Sequence, residues 1–414
     1  MKKFISVTFV VLVFLSSTYA KEYFLNSLTG NDDNTGTTED TPWQSLKPIQ
    51  DMTFSPGDIV NFACGSQWKG ELVIASNGTK EDPIIFKSYG QGNKPIISNP
   101  APAKYVVDIA GSWVVLDGLL LKDSHNAALH VSKGANHNVV QNCEMTNAGM
   151  GVGAYGKYNL FTRNFAHDLH IIKNTPRNIN ADDDYGAVAF WMFAPCNEIS
   201  YNRGVNCRAP SYDYGHDGGF FEIFGNGDSS YVHHNYAENC EGFHESGGGS
   251  SKGVVMSYNI AVENNGFICL HLGKGFHSEV ENMRVENNTV ISSKGTRWGV
   301  LNTFCGGRPS PSTLMMRNNN FVFGGNDKER FFENGDFIHE NNLYYLLNGA
   351  SVGFDLGKNE IIANPNFVDF QKGDFHLSNN SPAIDAGLEL EHTSDFEGDN
   401  VPSGKSPDIG AFEY

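Results

Sequence analysis

A short β-rich run, an asparagine, and then alternating apolar residues recur through the middle of this chain. The motif reads Val140-Gln-Asn142, Thr162-Arg-Asn164, Ser200-Tyr-Asn202, His233-His-Asn235, Ser257-Tyr-Asn259, Val285 to Asn288, Met316 to Asn320 and Glu340 to Asn342. Successive motifs lie 22 to 38 residues apart. The shortest interval suits one turn of a β-solenoid, and the longer ones suit turns carrying an extra loop. One turn alone cannot bury its apolar face. Stacked turns ~4.8 Å apart share a continuous core. Asparagine takes left-handed geometry readily and can bond to its equivalent one coil on, so the ladder predicts a repeated corner. A β-propeller would need a steadier period of ~40 to 45 residues.

Aligning the coils on this corner produces a second column. Gly219-Phe-Phe-Glu222-Ile-Phe, Gly242-Phe-His-Glu245-Ser and Gly266-Phe-Ile-Cys269-Leu-His271 superpose, with Gly186 to Trp191 one turn earlier and Trp298 to Asn302 one turn later. These segments predict stacked strands of one sheet. Cys207 and Cys240 also align, as a disulfide or as stacked thiols. The expected fold is all-β: a right-handed parallel β-helix, one domain with capped ends. Residues 21–100 form the amino-terminal cap and first turns, 101–350 the central coils, and 351–414 the closing turns.

Composition supports this picture. The chain has 414 residues, 45 of them glycine, with 18% charged and 12% aromatic residues. That is a folded, turn-rich protein. Lys2 and Lys3, an apolar run from Phe4 to Leu15, and small residues leading to Ala20 read as a signal peptide over residues 1–20. The run is too short for a comfortable membrane span, so the mature protein is expected in the extracellular space or periplasm, with no stable membrane insertion. The formal net charge of −18 argues against nucleic acid. Seven cysteines without a CxxC pair give neither a disulfide scaffold nor a zinc or redox motif. A monomer is expected.

Candidate chemistry concentrates between Asp182 and Glu245, with extensions to Arg297. Glu222 and Glu245 share a column 23 residues apart, which puts their backbones ~4.8 Å apart on adjacent coils. Carboxylates that close repel, so one pKa should rise. His216 and His244 flank them and could act as base or acid, beside Asp217 and Arg208. Lys274 and Arg297 follow in the next turns. Tyr185, Trp191, Tyr212, Tyr214 and His271 are candidate sugar contacts, with core packing the equal alternative for the aromatics. No cofactor is required; calcium is the one option, on Asp183 and Asp184 of the Asp182-Asp-Asp184 run.

The chain ends carry a family resemblance. Gly30-Asn-Asp-Asp-Asn-Thr-Gly36, Thr41-Pro-Trp43 and Pro56-Gly-Asp58 resemble the amino-terminal entry of secreted pectate-lyase-like β-helix proteins. Ser381-Pro-Ala-Ile-Asp385-Ala-Gly387 and Asp408-Ile-Gly-Ala-Phe-Glu413 resemble their closing turns. The resemblance implies a carbohydrate polymer as partner. It does not name a reaction, because that superfamily includes lyases, hydrolases, epimerases and binding proteins. The paired-Asp pattern of polygalacturonases is not evident, and Tyr214-Gly-His-Asp217 only partly matches the Asp-Pro-His-Asp of alginate epimerases.

Three functions follow. The first is a polysaccharide lyase that depolymerises an acidic exopolysaccharide or other uronate-bearing polymer. Arg208, Arg297, Lys274 or calcium would quiet the carboxylate, with His216 or His244 as base. The second, a close runner-up, is a glycoside hydrolase using Glu222, Glu245 and Asp217. The third is a non-catalytic polysaccharide-binding matrix protein.

Overall fold

The computed structural model describes residues 20–100, 105–325, 331–332 and 336–414. The signal peptide expected over residues 1–20 lies, except for Ala20, outside them. The chain winds as a right-handed parallel β-helix with three faces per coil. The first sheet has 12 strands, running from Glu22–Leu25 to Ile338–Glu340. The second runs from Gln67–Lys69 through Phe165–His167, Arg203–Val205, Tyr236–Glu238 and Ile260–Val262 to Ile361–Ile362. The third stacks Val188–Met192, Gly219–Asn226, His244–Lys252, Ile268–His271 and Leu301–Phe304. Long strands Leu120–Val131 and Glu144–Ala154 bend from the second face to the third.

One core runs through the coils, from Tyr23 to Val352. Phe190, Phe220, Phe243 and Phe267 stack inside it at centroid distances of 5.4, 5.2 and 5.2 Å. At the amino-terminal end, the ring of Trp43 occupies the space a side chain on Gly36 would need, 2.2 Å from its ideal Cβ. This couples two of the motifs that carried the family resemblance.

The asparagine ladder is present, with two corrections. Backbone N–H groups of Asn164, Asn202, Asn235, Asn259, Asn288 and Asn319 each donate to the side-chain oxygen of the next ladder asparagine, ending at Asn342. Asn319, not Asn320, is the rung, and Cys143 holds the place assigned to Asn142. The left-handed residue is the one before each rung: Asn142, Arg163, Tyr201, His234, Tyr258, Asn287, Asn318 and Asn341 all have φ between 50° and 56°. The preceding residue makes the bend, which frees the rung's amide to reach back to a carbonyl of the previous coil, as Asn235 does to Ile199 at 2.8 Å. Cys207 and Cys240 are buried free thiols stacked in the core.

The carboxy-terminal segment does more than close the last coil. It returns along the outside of the second sheet, where Phe375, Ala411 and Phe412 cover Ile260, Ile291 and Val322. The Ala411 N–H donates to Thr289 Oγ1 at 2.9 Å. These outward positions are apolar, so they need a cover.

Candidate active-site cleft

The two widest ladder intervals, 38 residues from Asn164 to Asn202 and 33 from Asn202 to Asn235, hold two insertions between the second and third sheets. One pairs Ile171–Lys173 with Tyr185–Gly186, and the other pairs Ala209–Ser211 with Gly215–Asp217, both antiparallel. Together they wall one side of a cleft of about 710 Å³ on the third sheet. Phe276, Trp298, Phe304 and Cys305 contribute from the other side.

The floor is the predicted column. Trp191, Glu222, Glu245, Cys269 and Asn302 are in register on five consecutive strands. Glu222 is 5% exposed. Its Oε1 lies 2.7 Å from where a Cβ on Gly219 would stand, so any side chain there would displace the carboxyl group. Burial, then the nearby Glu245 and Asp217, push the Glu222 pKa well above the usual carboxylate range. Asp217 is raised to about 8, by burial first and then by Glu245. Its Oδ1 accepts from Gly218 N at 2.7 Å. Glu245 Oε1 is 2.8 Å from His271 Nε2. With Glu245 ionised, the ring nitrogen is the donor. Burial and mutual repulsion therefore favour the protonated forms of Asp217 and Glu222, beside a Glu245 carboxyl hydrogen-bonded to His271.

The other candidates divide. His216, Asp217, Tyr185, Trp191, Tyr214, His271, Asp183 and Asp184 all line the cleft. His244 belongs to the lining, but strand alternation turns its ring toward the core, stacked on Phe221 at 5.0 Å, with Nε2 2.8 Å from Ser246 Oγ. Burial lowers its pKa to about 3, so it is neutral. Arg208 and Arg297 both turn to Glu241, at 3.3 and 4.0 Å, and Arg297 also lies over the Trp298 ring. Lys274 and Tyr212 are exposed and outside the lining. Tyr214 donates its hydroxyl to Asp182. Glu241 was not expected. It is 5% exposed and accepts from Trp298 Nε1 at 2.9 Å and Asn265 Nδ2 at 2.9 Å. The sequence signal was its place in Cys240-Glu-Gly242, one residue before an aligned strand.

Seven acidic residues line the cleft: Asp182, Asp183, Asp184, Asp217, Glu222, Glu241 and Glu245. Next to it, sharing Tyr185 and Trp191, is a smaller hollow of about 280 Å³ walled by Tyr105, His130, Tyr155 and Phe193. Its rings stack in pairs, Tyr105 on His130 at 4.1 Å and Tyr155 on Phe193 at 4.2 Å. Trp191 Nε1 and Asn126 Oδ1, both on residues lining this hollow, are buried with no hydrogen-bond partner.

The oxygen donors at Asp183, Asp184 and Asp213 lie within 4.8 Å of one another. Asp184 Oδ2 accepts from Ser211 Oγ and Asp213 N, and Asp213 Oδ2 from the N–H groups of Asp183 and Asp184. Asp183 Oδ1 and Asp213 Oδ1 are buried without a hydrogen bond. An all-oxygen set in which Asp183 Oδ1 accepts no hydrogen bond fits a hard cation such as calcium. Lys173, 2.9 Å from Asp183, and Arg177, 3.5 Å from Asp213, already supply part of the charge.

No protein-family model matches the chain. An 83-residue stretch is 32% identical to a lacto-N-biosidase of Bifidobacterium longum subsp. longum, covering 19% of this chain and 5% of that protein. The match therefore spans a small fraction of the curated relative. Among solved structures, pectate lyase Pel9A superposes with a TM-score of 0.65 at 16% identity, covering 96% of this chain and 97% of that one. XylC in complex with xylose superposes at 0.61 and 10% identity, covering 94% and 98%, and a rhamnogalacturonan lyase at 0.58 and 13%, covering 86% and 92%. The fold is thus a parallel β-helix like that of pectate lyase Pel9A. No helix among the described residues is long and apolar enough to cross a membrane.

Proposed function

We propose that this protein is a secreted glycoside hydrolase acting on the neutral sugars of a polysaccharide or oligosaccharide. The observation that carries this reading is the register of Glu222 on Glu245 across adjacent coils, with the buried member pushed toward its protonated form and the other paired to His271. Adjacent parallel strands stand ~4.8 Å apart, close to the ~5 to 5.5 Å between carboxyls that retaining glycosidases use. Glu222 is the general acid that protonates the departing glycosidic oxygen. Glu245 is the nucleophile at the anomeric carbon, and His271 is its positioning residue. Glu222, then deprotonated, activates the water that releases the sugar. As pH rises through about 8 and Asp217 ionises, its charge opposes the ionisation of Glu222.

The cleft's charge supports a neutral substrate. A uronate would meet seven acidic residues, while Arg208 and Arg297 are turned to Glu241. The aromatic hollow beside the carboxyls suits a further pyranose ring.

A polysaccharide lyase is the second reading, favoured by the clustered carboxylate oxygens of Asp183, Asp184 and Asp213. Calcium held there by Asp183, Asp184 and Asp213 would supply the charge that neutralises a uronate carboxylate. The two readings separate on a panel of neutral and uronate-bearing glycans, assayed for reducing ends and for ultraviolet absorbance, with and without chelator. Hydrolysis is expected to raise reducing ends alone and to persist in the presence of chelator. Glu222→Gln and Glu245→Gln should each lose at least ~10³-fold in kcat, and azide should rescue Glu245→Gly as a glycosyl azide of inverted anomeric configuration. Absorbance rising together with reducing ends, on a uronate polymer and only with calcium, would establish the lyase instead.

A further inference from the structure

The cleft floor carries a group of side chains that acid–base chemistry alone does not require. Cys269 follows Glu245 in the register, one coil on, and His271 is two residues further along the same strand, on the same face. The ligand atoms of Glu245, Cys269 and His271 all lie within 4.8 Å of one another. We infer that these three side chains form a binding site for a thiophilic divalent cation of the zinc class.

The ligand set selects the ion. A thiolate and an imidazole prefer a borderline-soft metal, whereas calcium and magnesium take oxygen ligands. Tetrahedral zinc takes Zn–O and Zn–N bonds of ~2.0 to 2.1 Å and a Zn–S bond of ~2.3 Å. Ligand atoms around such an ion stand some 3 to 4 Å apart, so side-chain rotation alone closes the present arrangement. The scaffold is rigid, because all three residues sit on strands of one sheet rather than on loops. The far side of the imidazole also has a partner: His271 Nδ1 is 3.8 Å from Cys305 Sγ, which itself donates to Phe276 O at 2.8 Å. Such an outer contact orients a metal-bound histidine. Three protein ligands leave a fourth position, and it opens onto the cleft beside Glu222.

The charges balance. Binding replaces the thiol proton of Cys269, which leaves to solvent. His271 ligates through neutral Nε2 and carries its proton on Nδ1. Glu245 exchanges its histidine hydrogen bond for the ion. One dication then meets one thiolate and one carboxylate. Given the hydrolase reading proposed above, on which this consequence alone rests, occupancy ties up the nucleophile, so zinc binding and glycoside cleavage exclude each other.

The test uses the full mature protein, reduced and stripped with chelator, titrated with Co2+ and then Zn2+. One equivalent of Co2+ is expected to give a sulfur-to-cobalt charge-transfer band with tetrahedral d–d absorption, and one equivalent of Zn2+ should abolish both. Cys269→Ser should remove the charge-transfer band, and His271→Ala should weaken binding at least ~10-fold. Cys305→Ser should retain the band, and millimolar Ca2+ should not compete. Circular dichroism on each variant separates loss of ligand from loss of fold. Absence of the band in the folded wild-type protein, or a band that survives in Cys269→Ser, overturns the site. The spectrum needs no substrate, so the metal site and the hydrolase reading can fail separately. Zinc inhibition of glycan cleavage, relieved in Cys269→Ser, is expected only if both hold.

Discussion

At the scale of the residue, burial divides three similar-looking candidates into different roles. Asp217 and Glu222 hold their protons, and His244 loses its own, because each sits where a charge is poorly solvated. The Asp217 pKa in the folded state, about 8, stands above the unfolded value of about 4. Its contribution to stability is therefore complete below about pH 4 and is lost as pH rises through 8, at up to about 1.4 kcal/mol per pH unit per proton. Asp217→Asn should thus flatten the fall of Tm between pH 5 and pH 9, measured by differential scanning calorimetry. His244 has the opposite sign. Its folded value lies below the unfolded one, so its contribution is present above about pH 6.5 and lost toward pH 3. His244→Phe should keep kcat within about threefold while costing about 1–2 kcal/mol through the lost Ser246 hydrogen bond. A collapse of kcat with Tm preserved would return His244 to the chemistry. The alternation of Phe243, His244, Glu245 and Ser246 already contained this answer, since His244 and Glu245 must face opposite sides of the sheet.

At the scale of the element, each coil is held to the next by backbone pairing, core stacking and one buried asparagine. Asn235 accepts from both nitrogens of Asn202 and donates to Ile199 O and Asn259 Oδ1. Asn235→Ala strands these partners in a dry interior and should cost about 2–4 kcal/mol, read as a lower urea midpoint. Asn320→Ala should cost less, because neither polar atom of its side chain has a partner. The ladder was legible because it repeats. The one-residue slip at Asn319 was not, since Asn318-Asn-Asn320 offers three equivalent letters and only the bend at Asn318, φ 55°, fixes which one faces inward. The two antiparallel insertions were legible as extra length between rungs. Their folding over the third sheet was not, because it depends on contacts such as Ser211 with Asp184 across 27 residues.

At the scale of the molecule, the carboxy-terminal segment joins parts of the chain more than a hundred residues apart, as His392 does with Glu286 at 2.9 Å and Ala411 with Thr289. Phe412, 6% exposed, is the largest of the core side chains in that seam contributed by the last four residues. Phe412→Ala should cost about 3–5 kcal/mol and produce concentration-dependent association as Ile260, Ile291 and Val322 become exposed, measured by denaturation and light scattering. Unchanged association and unchanged stability would mean that the seam is decorative. The core thus has two parts with different origins: the coil interior, built by neighbours in a one-dimensional stack, and the seam, built by long-range return of the chain.

The sequence by itself determined the architecture, the stacking register of Trp191, Glu222, Glu245 and Cys269, and the stretch in which the chemistry lies. These are properties of a repeat, in which each coil meets only its neighbours and a period of letters becomes a period in space. The tertiary structure alone decided which ionisable groups are free to act. It committed Arg208 and Arg297 to Glu241, set Lys274 outside the lining, brought His271 onto Glu245 and buried Glu222. Those outcomes depend on burial and on partners brought together by loops, and a partner across a cleft leaves no period in the sequence.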